Sequence, residues 1–166
     1  MKTNTKTIIT YGTFDLFHYG HVRLFKRLKA LGDKLIVAVS TDEFNALKGK
    51  AAFFSYLQRA EIVAACKYVD MVVPETHWQQ KAKDICKYDV STFGIGDDWK
   101  GEFDELSILC DVVYLDRTGE ISSTEIKNSL ADKGAPTSPA VKDPNNNSHD
   151  NPHDNPHDNF DNKVSK

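Results

Sequence analysis

Cysteine is scarce, and the three present cannot staple a fold. Cys66, Cys86 and Cys110 are odd in number, far apart and without a CxxC pair, which excludes a disulfide framework or a zinc ribbon and leaves them reduced and structural. Long apolar runs are missing too. Nothing approaches the roughly 18 consecutive apolar residues of a membrane span, and the amino-terminal MKTNTKTIITYGTFDL lacks the apolar core of a secretory leader. No membrane insertion is expected, and the expected location is the cytoplasm. Positive charge is not in excess: 21 Lys and Arg stand against 24 Asp and Glu, a net charge of -3. With no basic stripe, a nucleic-acid partner is not expected, and small-molecule chemistry takes its place.

What is present is an alternation. Short, nearly continuous apolar runs at Thr7–Tyr11, Lys34–Val39, Met71–Val73, Thr92–Ile95 and Val112–Leu115 have the character of parallel strands buried on both faces. Between the first two, Val22, Leu24, Phe25, Leu28 and Leu31 recur near helical spacing, with Gly32 placed as a stop. Ser55 and Gln58 form a capping box opening a helix to about Cys66. Further helices are expected over Gln79–Lys87, Asp104–Leu109 and Ser123–Leu130. The class is α/β, with one domain over residues 1–133, long enough to bury its own core.

Beyond that boundary the composition turns to Pro, Asn, Asp, Ser and His. Too few apolar residues remain to offset the entropy of ordering, so 134–166 is expected to be a disordered tail. It holds the repeat HDNPHDNPHDN, with His149, His153 and His157 four apart. Pro152 and Pro156 prevent the regular helix that would align those imidazoles as metal ligands.

The most informative segment is Gly12-Thr13-Phe14-Asp15-Leu16-Phe17-His18-Tyr19-Gly20-His21, at the carboxyl end of the first strand and the start of the next helix. Ligands bind at that place in open α/β sheets. A helix start offers free amides and the positive end of the dipole to a phosphate, and two imidazoles three residues apart can face it together. Gly20 leaves room for close approach between them. The plainer reading is a surface helix start with two incidental histidines. As a zinc site the pair is weak, since no third ligand is nearby.

The segment resembles the HxGH signature of the nucleotidylyltransferase superfamily, and its flanking GTFD resembles that of the cytidylyltransferases. More of the chain is similar to the glycerol-3-phosphate cytidylyltransferase family: YGTFDLFHYGH at 11–21, VSTDEFN at 39–45, Lys48 and Lys50, GDDW at 96–99, and RTGEISST at 117–124. The likeness runs from about residue 7 to 130. It implies a doubly wound, five-stranded parallel sheet of Rossmann-like kind, usually in a homodimer, with the site above the carboxyl ends of the strands.

The resemblance also implies roles. His18 and His21 would contact the triphosphate and stabilise charge at the α-phosphorus, assisted by Thr13 and the neighbouring Phe14. Lys48 and Lys50 would neutralise donor and acceptor phosphates, though by themselves they read equally well as solvated loop charges. Asp98 and Trp99 would lie near the nucleotide, Asp15 would border the cleft, and Arg117 would bind phosphate. Thr118, Ser122 and Ser123 would hold the triphosphate at a helix start. Two departures stand out: Gly119-Glu120 reverses the family's usual order, with Ser123 in place of threonine, and Lys67 stands where an arginine contacting nucleotide phosphates is common. Lysine keeps the charge but loses the bidentate fork.

The implied reaction is transfer of CMP from CTP to glycerol 3-phosphate, giving CDP-glycerol and pyrophosphate, with Mg2+ bridging the phosphates and no protein ligands for it evident. CDP-glycerol would feed a teichoic-acid-like or capsular polymer. The rivals are transfer to ethanolamine or choline phosphate, adenylyl transfer to another phosphorylated alcohol, and a non-catalytic nucleotide-binding module. A choline head group would call for an aromatic cage, for which Trp78, Trp99 and Tyr114 are candidates.

Overall fold

The computed structural model describes residues 5–119 and 121–132. The expected tail at 134–166, with its HDNP repeat, and Glu120 of the RTGEISST segment lie outside the described residues.

Five strands form the sheet: β1 (Thr7–Gly12), β2 (Lys34–Ser40), β3 (Met71–Glu75), β4 (Val90–Gly96) and β5 (Asp111–Leu115). All pairings are parallel and the order is β3-β2-β1-β4-β5. Each expected strand is present. Neighbouring residues of one strand serve opposite layers: Ile8 packs with Phe25, Leu28, Leu35, Val37 and Val63, while Ile9 packs with Ile36, Ile85, Phe93 and Leu106. Burial on both faces is why these strands read as unbroken apolar runs. The edge strands are less covered, and β3 carries Pro74 where the missing amide is tolerated.

The crossovers are α1 (Tyr19–Lys29), α2 (Asp42–Leu47) with α3 (Tyr56–Ala64), and α4 (Gln80–Lys87), while α5 (Ser123–Asp132) follows β5. Helix α2 was not foreseen. Its six residues are started by Thr41, whose side chain accepts from the Phe44 amide, and by acidic Asp42 and Glu43 in the first turn. The stretch expected as a helix at Asp104–Leu109 is instead a 3-10 segment over Asp104–Ile108, leaving Ile108 largely exposed. The α3 box forms, with Gln58 Oε1 accepting from the Ser55 amide at 3.0 Å.

Gly32 ends α1 for a different reason from the expected one. Its backbone does not enter the left-handed region, but a side chain there would meet the Lys6 carbonyl at 2.6 Å. The glycine is needed for close approach of α1's exit to β1. Cys66, Cys86 and Cys110 are free thiols. Among the described residues no helix is long and apolar enough to cross a membrane.

Strand order reverses direction between β1 and β4, so the segments leaving these two strands part to opposite sides and open a crevice above their carboxyl ends. The site lies in this crevice.

Candidate active site

Above that reversal lies a cleft of about 510 Å³. Its wall includes Thr13, Phe14, Asp15, His18, His21, Lys48, Lys50, Asp98, Trp99, Arg117, Thr118, Ser122 and Ser123, drawn from five separate stretches of chain. Lys67 is the exception among the expected residues. It is exposed on the turn after α3, its ammonium over the Tyr68 ring, and forms no part of the cleft wall.

The loop after β1 is bent by two non-glycine residues in the left-handed region, Phe14 at φ 51° and Leu16 at φ 46°. Such backbone costs of order 1–3 kcal/mol per residue and persists only where the surroundings impose it. Here Phe14 is buried against Phe25 and edge-on to His21. Asp15, between the two strained residues, is only 4% exposed.

Helix α1 is capped by its own histidines. His18 is the N-cap and its Nδ1 accepts from the Gly20 amide at 3.1 Å, while His21 Nδ1 accepts from the His18 amide at 3.4 Å. The rings stack with centroids 3.9 Å apart. With each Nδ1 acting as acceptor, each neutral ring carries its proton on Nε2 as a donor. Burial pushes the His21 pKa down to about 3, with His18 beside it adding to the shift. Burial, then Arg117, lowers that of His18 as well. A β-carbon at Gly20 would lie 2.8 Å from the His18 ring and 3.2 Å from Ile121. The glycine thus admits both the ring and the segment leading into α5.

Asp15 anchors rather than catalyses in this arrangement. Its Oδ2 accepts from the Phe53 amide at 2.7 Å, its Oδ1 from the Phe54 amide at 3.0 Å, and Lys127 of α5 lies 2.8 Å from Oδ2. Burial alone would raise the carboxyl's pKa, but Lys127 and the two amides prevail and hold it below the ordinary value. Ser123 Oγ donates to the Asp15 carbonyl at 2.7 Å, and Ser122 Oγ caps α5 by accepting from the Glu125 amide at 3.1 Å. Ser123 is therefore committed to binding α5 to the β1 loop. On the far side, Arg117 and Asp98 approach to 3.5 Å, both well exposed, and Lys50 lies over the Trp99 ring.

Several participants were not foreseen. Arg59 is 1% exposed and donates to the Thr13 carbonyl at 2.7 Å, the Phe54 carbonyl at 3.0 Å and Asp42 Oδ1 at 2.7 Å. Its signal was a charge four residues before Val63, on the buried face of α3. Glu75 and Lys81, 2% and 4% exposed, pair at 2.8 Å in the cleft wall. Lys48 is 3.6 Å from Glu75 and donates to Ser40 Oγ at 2.8 Å. Burial lowers its pKa, partly opposed by Glu75. Tyr114, a candidate cage ring, is turned away to donate to Asp104, whereas Trp78 and Trp99 do meet at 5.9 Å.

A helix start bearing two neutral N–H donors, with lysine and arginine in the same cleft wall, is a constellation for stabilising phosphoryl charge. A cytidylyltransferase-like family model matches residues 9–129. The chain belongs to that family. It is 56% identical to the glycerol-3-phosphate cytidylyltransferase of Bacillus spizizenii, over 76% of this chain and 98% of that protein. The enzyme of the same name from Staphylococcus aureus is 52% identical, over 78% and 98%. Among solved structures, a lipopolysaccharide core biosynthesis protein from Thermoplasma volcanium superposes with a TM-score of 0.60 at 25% identity, covering 69% of this chain and 98% of that one. This cytidylyltransferase-like chain thus spans nearly the full length of those two enzymes.

Proposed function

We propose that this chain transfers CMP from CTP to sn-glycerol 3-phosphate, releasing pyrophosphate and CDP-glycerol. The observation that carries the reading is the pair of neutral Nε2–H donors at the start of α1, set among Lys48, Arg117 and the cap of α5 in a chain more than half identical to enzymes of that name.

The acceptor phosphate is already an anion and needs no base to deprotonate it. It attacks the α-phosphorus of CTP in line with the departing pyrophosphate. Negative charge grows on the α-phosphoryl oxygens and the leaving group, where the Nε2–H groups of His18 and His21 donate and Arg117 neutralises. Lys48 brings the acceptor phosphate against the repulsion of the triphosphate.

Mg2+ fits as a partner of the triphosphate rather than as a resident ion. Among the described residues no three His, Cys, Asp or Glu side chains are gathered to hold a metal, and Asp15, the buried carboxylate by the histidines, is committed to amides and Lys127. Phosphate oxygens and water suit a cation that dehydrates reluctantly. When bound it would neutralise the phosphates and favour pyrophosphate as a leaving group. We further propose a homodimer working in the cytoplasm, with CDP-glycerol serving a teichoic-acid-like or capsular polymer.

The test is pyrophosphate release from CTP and Mg2+ with glycerol, ribitol, ethanolamine and choline phosphates, and with ATP in place of CTP. Glycerol 3-phosphate and CTP should lead. Better turnover with ethanolamine phosphate would overturn the acceptor assignment, and no product with any acceptor would favour a binding module.

A further inference from the structure

Helix α5 is fastened to the protein by charge and hydrogen bonds rather than by packing. None of its ten residues is buried. Isolated helices shorter than about 12–15 residues are marginal in water, so the place of α5 depends on what grips it. Among the described residues, two of its side chains hydrogen-bond to other elements. Ser123 Oγ donates to the Asp15 carbonyl at 2.7 Å, and one turn later the Lys127 ammonium lies 2.8 Å from Asp15 Oδ2 and donates to the Ala51 carbonyl at 2.9 Å. One ammonium thus joins α5, the strained β1 loop and the 48–54 segment. Two of its three donors are taken up in doing so.

The start of α5 is the far end of the stretch that brings Arg117, Thr118 and Ser122 to the cleft wall. Its near end is pinned separately, by Arg27 of α1 donating to the Asp116 carbonyl at 2.7 Å. Between the pins the stretch leans on the histidine turn, with Ile121 3.2 Å from where a Gly20 β-carbon would stand. Arg117 itself adds little hold, since its contact with Asp98 is 3.5 Å long and well exposed. The far pin therefore decides how closely these groups stand to the cap of α1. A helix held by a few polar links opens at a free energy well below that of global unfolding.

We propose that Lys127 is a positioning residue for the nucleotide: it latches the start of α5 to Asp15 and so holds Arg117, Thr118 and Ser122 where the triphosphate meets them. This rests on the cytidylyl-transfer reading above. The acceptor side does not need the latch. Lys48 is held by Ser40 and Glu75, and the Phe53 and Phe54 amides still bind Asp15 when Lys127 is replaced. Unlatching leaves the competent arrangement as a fraction of the population, so apparent CTP affinity falls by that fraction while bound CTP restores the closed form.

The experiment measures kcat, both KM values, the CTP dissociation constant by calorimetry in Mg2+, the melting temperature and amide hydrogen exchange over α5, for the parent, Lys127→Met and Lys127→Arg. In Lys127→Met the KM and Kd for CTP should rise about tenfold, as for a competent state reduced to about a tenth. With both substrates saturating, kcat should stay within about threefold of the parent, and so should the KM for glycerol 3-phosphate. Exchange over α5 should quicken in the free variant and slow again with CTP. Lys127→Arg, which carries the same charge to the same two oxygens, should keep CTP affinity within about threefold of the parent. Unchanged CTP affinity in Lys127→Met overturns the proposal. So does an equal rise of both KM values with a lower melting temperature, the pattern of a merely structural loss. A parent that binds CTP but makes no CDP-glycerol would instead sink the cytidylyl-transfer reading, with the latch then judged on CTP affinity and exchange alone.

Discussion

His18 and His21 serve two purposes with different atoms of one ring. Nδ1 completes the helix cap and leaves Nε2–H as the donor of a ring in the cleft wall, so a simple deletion confounds the two. Losing a donor to a developing oxyanion costs about 10²–10³ in rate, or roughly 2.7–4 kcal/mol, while losing an N-cap costs about 1 kcal/mol of stability. His18→Ala should therefore lower both kcat and the melting temperature. His18→Asn, which restores a capping oxygen, should recover the melting temperature but not kcat. Either histidine variant turning over within about threefold of the parent would remove that ring from the chemistry, since that is under 1 kcal/mol.

At the scale of elements, the active cleft is held together by links among the β1 loop, the 48–54 segment and the starts of α3 and α5. Asp15 and Arg59 make most of them, the one from carboxylate to amides and the other from guanidinium to carbonyls. Asp15→Asn would turn an amide NH2 toward one of the Phe53 or Phe54 amides and release Lys127. An orphaned buried donor costs about 1–3 kcal/mol, so thermal unfolding should show a loss of that order. KM for both substrates should rise as Lys48 and Lys50 lose their fixed positions, with kcat at saturation falling less. Unchanged stability would mean that the 48–54 segment does not depend on Asp15.

These links explain what could be read in advance. The strands declared themselves because burial on both faces leaves no polar alternation, and the GTFD and HxGH residues because they are contiguous. Helix α2 did not, being only six residues long, although Thr41 and the two acids after it carried its start signal. Glu75, Lys81 and Arg59 were illegible for a different reason. A lysine or arginine in a sequence is by default exposed, and only the folded partner across the cleft shows that it is not. Lys67 is the converse, a cation expected at the phosphates whose side chain lies over Tyr68, outside the cleft wall.

For the molecule as a whole, the capped histidines make the fold acid-sensitive. Both have folded pKa values below the ordinary 6.5, about 3 for His21, so below pH 6.5 the unfolded chain binds more protons than the folded one. The stability that neutral His21 contributes is then fully present above pH 6.5 and declines as the pH falls toward 3, by at most roughly 1.4 kcal/mol per pH unit. Asp15, Asp42 and Asp70 have depressed values and lose their contribution below the ordinary carboxyl value of 3.8, so above that pH the decline belongs to the histidines. Melting temperatures between pH 7 and 4.5 should fall in the parent and flatten in His21→Gln. Parallel curves for the two would contradict neutral burial of His21.

The cap has one more consequence, for the enzyme's behaviour on warming. Helix ends open more readily than sheet interiors, with free energies well below that of global unfolding. Because the stacked rings are themselves the first turn of α1, any fraying there unlatches both donors at once while β1 to β5 stay paired. Catalysis should then be lost on warming before the sheet unfolds, so activity should fall at a lower temperature than the global melting transition. On the proposed reading, a triphosphate accepting from that same turn would protect the machinery that acts on it, and CTP should raise the temperature at which activity is lost.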